Sequence, residues 1–553
     1  MTPDVPQLKA LMTALLDEFQ RLHRLSGTLD AERSVDVLIG LLERHGLTAK
    51  RERCRLWLSD PLAGALSLPT HPNWRCAAKT RSFSAHCPQG VEAELYFDVR
   101  SQEYVPDDEL PAWEAAVKGR IVVAFQGFED YVQRLMQAGA AGLIHIWDSD
   151  EDALHEETVG PVWGSPVPDD AVLYPTLPVI SINKRSGAEL QSLLVQGPLT
   201  ARIATRLNLH VAECSLPVVE IGGEHDEFVL LSSHYDSWHE GVTDNATGDA
   251  LCLAMAAHFA AHRQVLKRGL RIAWWPGHSN ARYGGSTWYA DRYRFELQQR
   301  CVAHINVDSP GCRDATQVVV NASGAESVAF LNRAVRDVTG GPARRITPLG
   351  KGGDQSFWGC GIPLHFAFRE EPETRTTQSP GSGGGWWWHT ECDTRDKVDD
   401  DIQWRDCEIH FRWLEELLTA PELPFDAPHY LAQLQQELVQ LQQELDPHFD
   451  LSRLTGELTA LQDEYARAAP SRKAIRQLLG LLHRVRYVST DDFHQDKSYH
   501  GGAFPGLRLL RHHRESSCRS YTWLMLETQY RRQHDRILSL LREGGALVRN
   551  GAA

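Results

Sequence analysis

Residues able to hold a divalent cation recur in this sequence where apolar runs end. His234 and Asp236 follow Phe228-Val229-Leu230-Leu231, a run bounded by Glu227 and Ser232-Ser233 that reads as a buried parallel strand. Asp244 and Asn245 stand before an apolar helical run over 250–260. The run 270–275 passes into Pro276-Gly277-His278-Ser279, and the run 302–307 into Asp308. A fourth run, 364–368, leads through a glycine-rich loop to Trp386-Trp387-Trp388-His389. In an open α/β sheet, ligands gather outside the carboxyl ends of the strands. His and Asp side chains delivered there are suitable ligands for a divalent metal. A lone histidine or acid is usually an ordinary polar residue. Four runs that each end in a metal-capable residue, His234, His278, Asp308 and His389, carry more weight, because a sheet brings strand ends together.

The elements that must position these residues belong to a chain of 553 residues, too long for one hydrophobic core, so two to four domains are expected. Its 42% hydrophobic and 24% charged residues are ordinary for a globular protein. A net charge of -16 argues against a nucleic-acid partner, because the surface would repel phosphates. No apolar run approaches the roughly 18 residues of a membrane span. The start, MTPDVPQLKALMTALLDEFQRLH, alternates charged and apolar positions at helical spacing and lacks the parts of a signal peptide. Eleven scattered cysteines without metal-finger spacing read as reduced thiols, and the expected location is cytoplasmic.

Four regions follow from pattern. Residues 1–95 open with a helix and a second one over 35–45 ending at Gly46, then strand-like segments at 53–58 and 74–77. Residues 96–206 alternate short strands (119–125, 143–146, 177–182) with helices over 129–138 and 186–194. Residues 207–425 hold the candidate metal ligands. Residues 426–553 carry apolar positions at three- and four-residue spacing over 430–445, 451–468, 471–485 and 521–542, an all-helical region. Between its last two helices, 491–514 is rich in His and Gly. His500 and His512-His513 read there as a solvated loop that reaches another domain.

The motifs "HYDSWHEGVTDNATG", "GSTWYA", "INVDSPG" and "HTECDTRDKVD", with "GGDQSFWGCGIP" before a core strand, resemble the co-catalytic zinc aminopeptidases and glutamate carboxypeptidases. "KGRIVVAFQG", "AGAAGLI" and "LPVISI" in that order resemble the protease-associated domain, placed as in the glutamate carboxypeptidase and transferrin receptor branch. The resemblance implies a mixed, mostly parallel α/β sheet flanked by helices, with an inserted β-rich protease-associated domain over 96–206 and an all-α C-terminal domain. It implies that 1–95 and 207–425 form the metallopeptidase-like domain, and that the C-terminal helices make a homodimer. It further implies that His234, Asp244 and Asp308 hold one zinc, and that Asp244 bridges to a second bound by His389. Asp236 would take the free ring N–H of His234 and fix its tautomer.

One departure stands out. Where the family carries a Glu-Glu pair, general base and ligand, this chain has His278-Ser279 or, counted back from Gly285, Ser279-Asn280. No carboxylate occurs from Pro276 to Ala290. An imidazole accepts protons near neutral pH and also ligates metals, so His278 is the candidate base or ligand. Arg282 is the candidate for a substrate carboxylate, which a guanidinium binds bidentately. The reading is a metal-dependent hydrolase that cleaves an amide or peptide bond in a small peptide or acyl-amino-acid-like substrate by metal-activated water. A single-metal enzyme, with two His and two carboxylates compatible with Zn, Mn or Fe(II), and a non-catalytic receptor-like binder are the alternatives.

Overall fold

The structure is a computed structural model, and it describes residues 1–375, 382–496 and 502–551. Its centre is a mixed sheet whose strands lie in the order Arg345–Pro348, Gln317–Ala322, His365–Glu371, Cys301–Asn306, Phe228–His234, Gly269–Trp275 and Thr200–Ile221. Phe228–His234 runs parallel to both Gly269–Trp275 and Cys301–Asn306, and Cys301–Asn306 runs parallel to His365–Glu371. Four carboxyl ends therefore open on one edge of the sheet. Gln317–Ala322 and Thr200–Ile221 are antiparallel to their neighbours His365–Glu371 and Gly269–Trp275. The parallel strands Phe228–His234 and Cys301–Asn306 are buried throughout, as strands covered by helices on both faces must be. The helices Val5–Phe19, Leu29–Arg44, Thr247–Ala261 and Asp400–Thr419 cover one face and build the largest apolar cluster, which includes Phe19, Leu251, Phe259 and Trp413. The architecture is α/β, with a mostly parallel centre flanked by helices.

The inserted lobe is joined to this sheet by a long ribbon. Lys50–Ser67 pairs antiparallel with Thr200–Ile221 over nearly its full length. Lys79–Thr80 pairs with Val179–Asn183, and Cys87–Phe97 pairs with both Ile121–Ala124 and Thr200–Ile221. The lobe therefore draws on residues before 96, and the 1–95/96–206 division is corrected on this point. Composition could not show it, because a ribbon shared by two regions changes partner without changing residue type. The strand expected at 74–77 does not form, and those residues are irregular. Gln317–Ala322 and the helices Gly284–Arg300, Val328–Thr339 and Asp400–Thr419 were not anticipated from pattern.

The C-terminal region is helical, with Ala427–Glu444, Ser452–Ala468, Arg472–Tyr487 and Ser520–Asn550 around a core of their own. It docks on the segment before His365. Gly480 packs so tightly against Gly361 that a Cβ there would lie 2.2 Å from the Gly361 carbonyl oxygen. Trp358 and Tyr487 stack at 3.8 Å. The loop before the last helix reaches the inserted lobe, as expected: His512 stacks on Tyr104 at 3.8 Å, and the His513 ring is 2.9 Å from Asp107. His500 lies outside the described residues.

Candidate metal centre

The four strand ends converge. His234 is the last residue of Phe228–His234, and its Nε2 is 3.1 Å from Asp244 Oδ1 and 3.9 Å from Asp308 Oδ1. Asp244 Oδ2 is in turn 3.1 Å from His389 Nε2. One carboxylate thus stands between two imidazoles, and all four residues are buried. His234 Nε2 is close to Asp244 but out of hydrogen-bond alignment, a buried nitrogen without a hydrogen bond. That nitrogen, aimed among carboxylates, is placed to ligate a cation once its proton is displaced.

The electrostatics agree. Burial presses His234 toward its neutral form, yet Asp236, Asp244 and Asp308 outweigh burial and hold the imidazole well above its ordinary value. Burial and Asp244 push Asp308 up, but His234 and Arg369 bring it to about 2. Asp244 is held well below the usual carboxylate range, against burial, by His234 and His389. Protons therefore occupy a cluster that a divalent ion would neutralise in their place.

Each residue is aimed by local structure. The His234 Nδ1–H donates to the Asp236 carbonyl oxygen at 2.9 Å, while the Asp236 carboxylate is 3.6 Å away. Asp236 thus fixes the tautomer through its backbone, a correction to the expected role of its side chain. Its carboxylate accepts the backbone N–H groups of His278 at 3.2 Å and Ser279 at 3.1 Å, tying the altered loop to the site. The Asn245 side chain donates to the Val307 carbonyl and accepts from the Ser309 N–H, so the loops carrying Asp244 and Asp308 are cross-linked. Asp393 accepts the backbone N–H groups of Thr243 and Asp244.

Residues 218–411 match the model of Peptidase family M28. The chain carries an M28 peptidase domain. Two curated relatives are an aminopeptidase NAALADL1 from Mus musculus, 30% identical over 137 residues, and an aminopeptidase from Pseudomonas aeruginosa strain UCBPP-PA14, 28% identical over 210. The matches cover 23% and 36% of this chain and span only 18% and 35% of those relatives. In fold, the chain is similar to a zinc aminopeptidase from Bacillus subtilis, with a TM-score of 0.55 at 18% identity over 74% of this chain and 95% of that one.

Within the M28 domain, His278 faces the ligand cluster. Its ring lies parallel to that of His234, with centroids 3.5 Å apart and an interplanar angle of 10°. A ring nitrogen of each histidine and an oxygen of Asp308 lie within 4.8 Å of one another. The Nδ1 of His278 is 2.8 Å from Asp354 Oδ2, and Asp354 Oδ1 accepts from the Ser286 hydroxyl at 2.8 Å. Asp354 is fully buried. The 76 positions between it and His278 hide the pairing from the sequence. Its place in "GGDQSF" was the available signal.

Arg282 is not a free carboxylate clamp. It lies beside the cavity, but its guanidinium is 2.9 Å from Glu129 and 3.2 Å from Glu157, both buried and both from the inserted lobe. The expectation is corrected: two acids from another part of the chain already engage both its terminal nitrogens, while its buried Nε makes no hydrogen bond. The adjacent lobe segment also buttresses His389, whose Nδ1 is 3.0 Å from the Glu156 carbonyl oxygen and whose own carbonyl accepts the Glu156 N–H at 2.8 Å. Trp388 stacks on His389 at 3.8 Å and lines the cavity, whereas Trp387 is buried and donates to the Thr243 hydroxyl. The cavity beside the ligands has a volume of about 490 Å³ and is walled by both the M28 domain and the lobe.

Proposed function

We propose that this chain is a metal-dependent hydrolase of amide or peptide bonds in which His278, oriented by Asp354, replaces the missing glutamate base. The observation that carries this reading is the His278–Asp354 pair, set parallel to His234 at the point where the four ligand residues converge. A zinc ion held by His234, Asp244 and Asp308 would polarise the scissile carbonyl and acidify the attacking water. With Nδ1 turned to Asp354, His278 has its other ring nitrogen to accept a proton from that water and return it to the leaving amine. Asp354 keeps the ring in that tautomer and steadies its charge once it is protonated. The M28 match and the aminopeptidase relatives support the hydrolase class.

Metal number follows from the donors. Of the expected ligands, the first position has three and the second has Asp244 and His389, so one tightly held ion and a weaker second are expected. An all-nitrogen-and-oxygen set also admits Mn or Fe(II). The inserted lobe is read as a protease-associated domain that shapes the entrance, supported by Gln126, Phe128 and Glu157 in the cavity wall. A cytoplasmic setting is supported by eleven unpaired cysteines. No helix among the described residues is long and apolar enough to cross a membrane. The homodimer through the C-terminal helices is supported by Tyr521, Leu524 and Met525, exposed together on the last helix.

The test is a zinc-loaded preparation assayed against dipeptides, amino-acyl amides and acyl-amino acids, with metal content measured in parallel. Wild type should cleave at least one class. Asp354→Asn should lower kcat by about a hundredfold at unchanged metal content, the range of lost general-base catalysis. Loss of the ion in Asp354→Asn would instead make His278 a ligand, and no turnover of any class would remove the hydrolase reading.

A further inference from the structure

Away from the metal centre, the molecule has a second place where metal-capable side chains meet. Three groups of such side chains lie close together among the described residues. Two include His234 or His389; the third is Asp107, His513 and Cys518, and it alone contains sulfur. The His513 Nδ1–H donates to Asp107 Oδ2 at 2.9 Å, and the Cys518 thiol donates to the same oxygen at 3.3 Å. Cys518 Sγ and His513 Nδ1 are 3.9 Å apart. The same three atoms thus form a closed triangle. Zinc bonds of about 2.0–2.3 Å at tetrahedral angles hold ligand atoms about 3.3–3.6 Å apart. The three edges bracket that range, so an ion fits with side-chain shifts of about a few tenths of an ångström.

Local structure aims each donor. Asp107 lies in the inserted lobe, just before the helix Leu110–Val117. The Tyr104 hydroxyl donates to its Oδ1 at 3.5 Å, which leaves Oδ2 to the cluster. His513 and Cys518 come from the loop before Ser520–Asn550. There the N–H groups of Ser517 and Cys518 both donate to the Arg514 carbonyl, which turns Cys518 back toward His513. The stack of His512 on Tyr104 joins the same two segments. Arg514, next to His513, directs its guanidinium to the carbonyls of Arg511, His513 and Glu444. The Asp107 and His513 side chains are 12% and 21% exposed, so the donors are sheltered but within reach of an ion from solvent.

A thiolate, an imidazole and a carboxylate are donors that suit zinc, whereas magnesium and calcium take oxygen. We propose that Asp107, His513 and Cys518 bind a zinc ion that clasps the C-terminal region to the inserted lobe, with water as the fourth ligand. Binding releases the thiol proton to solvent, and His513 binds as the neutral imidazole with its proton on Nε2. The ion joins Asp107 to residues 406 and 411 positions later in the chain. The lobe supplies Gln126, Phe128 and Glu157 to the wall of the main cavity, so the clasp steadies that wall from outside. The site stands whether or not the chain is a hydrolase.

Cobalt separates this site from the metal centre, whose expected ligands are nitrogen and oxygen. Metal-stripped full-length protein is titrated with Co(II), for which thiolate ligation gives a near-ultraviolet charge-transfer band. Wild type and His234→Ala should both show the band, excess zinc should bleach it, and Cys518→Ser should lack it. His513→Ala should weaken the binding about tenfold or more. In wild type, zinc should slow alkylation of Cys518 by iodoacetamide about tenfold, read by peptide mass spectrometry, because a ligated thiolate is no longer a free nucleophile. That arm needs no variant to fold. Zinc should also slow hydrogen exchange over Leu110–Val117 in wild type and not in Cys518→Ser. Absence of the band, a band that survives in Cys518→Ser, or alkylation unaffected by zinc would leave a hydrogen-bonded contact only and overturn the site. A band without slower exchange would keep the ion and overturn the clasp.

Discussion

The two halves of the metal centre are built differently. The half around His234 and Asp308 is complete and internally braced: its ligands leave adjacent parallel strands, and Asn245 and Asp236 tie their loops together. Around His389 no carboxylate comes from the loop at 276–290, and much of the support is borrowed. Glu156 holds the His389 ring from the inserted lobe, and Glu129 and Glu157 hold Arg282 across the same gap. Asp244 belongs to both. The difference teaches that one side of such a cluster can rest on the rigid sheet while the other rests on contacts from another part of the chain. The missing acid of the loop at 276–290 coincides with two buried acids facing that loop from outside.

The largest expected effect comes from breaking the complete half. In a Cys518→Ser background, which removes the zinc of the clasp, His234→Ala should leave zinc bound at under a tenth of the parent level and cut turnover by on the order of a thousandfold, the scale of lost electrostatic stabilisation at a reacting centre. In the same background His389→Ala should retain one ion per chain and lose about a hundredfold. Metal analysis by mass spectrometry beside initial rates checks the pair. Equal metal loss in both would mean that the halves are one indivisible site.

Arg282→Met should sharpen the comparison from the other side. It leaves Glu129 and Glu157 buried without their guanidinium, and removing one partner of a buried ion pair costs about 3–5 kcal/mol. Denaturant unfolding should show that loss, while zinc at the His234 half stays bound. Stability within 1 kcal/mol of wild type, by the usual scatter of surface changes, would show that the lobe contact is not structural.

The smallest effect isolates burial from metal chemistry. Glu326, outside the ligand cluster, is buried with one carboxylate oxygen lacking a hydrogen bond, and burial lifts its pKa to about 7. An acid whose folded pKa lies above its unfolded value keeps its proton on folding. Its penalty therefore grows as pH rises from the ordinary glutamate value to about 7 and is constant above that. Glu326→Gln should flatten this fall in stability, worth on the order of 3 kcal/mol, in unfolding curves taken from pH 4.5 to 8. An unchanged slope would place the pH dependence elsewhere.

Much of the centre was legible residue by residue. His234 and Asp308 announce themselves because buried parallel strands are continuous apolar runs, and the residue after such a run is at the sheet's open edge. The short helix–strand alternation of the inserted lobe and the periodicity of the C-terminal helices were readable for the same reason: side-chain period is a local property. Gln317–Ala322 escaped because its apolar run is only the three valines between Gln317 and Asn321. The 74–77 segment misled because an aromatic and a cysteine mimic strand composition without a partner strand to pair with.

By itself, the sequence determined which residue types reach the carboxyl edge of the sheet and which carboxylates are absent from the loop after Trp275. Tertiary structure alone decided who meets whom there: His278 with Asp354, and Arg282 with Glu129 and Glu157. The physical reason is separation. Periodicity and ligand chemistry act over a few neighbouring residues, whereas these pairings span 76 to 153 positions and exist only after the sheet has stacked its strands and the lobe has closed beside it.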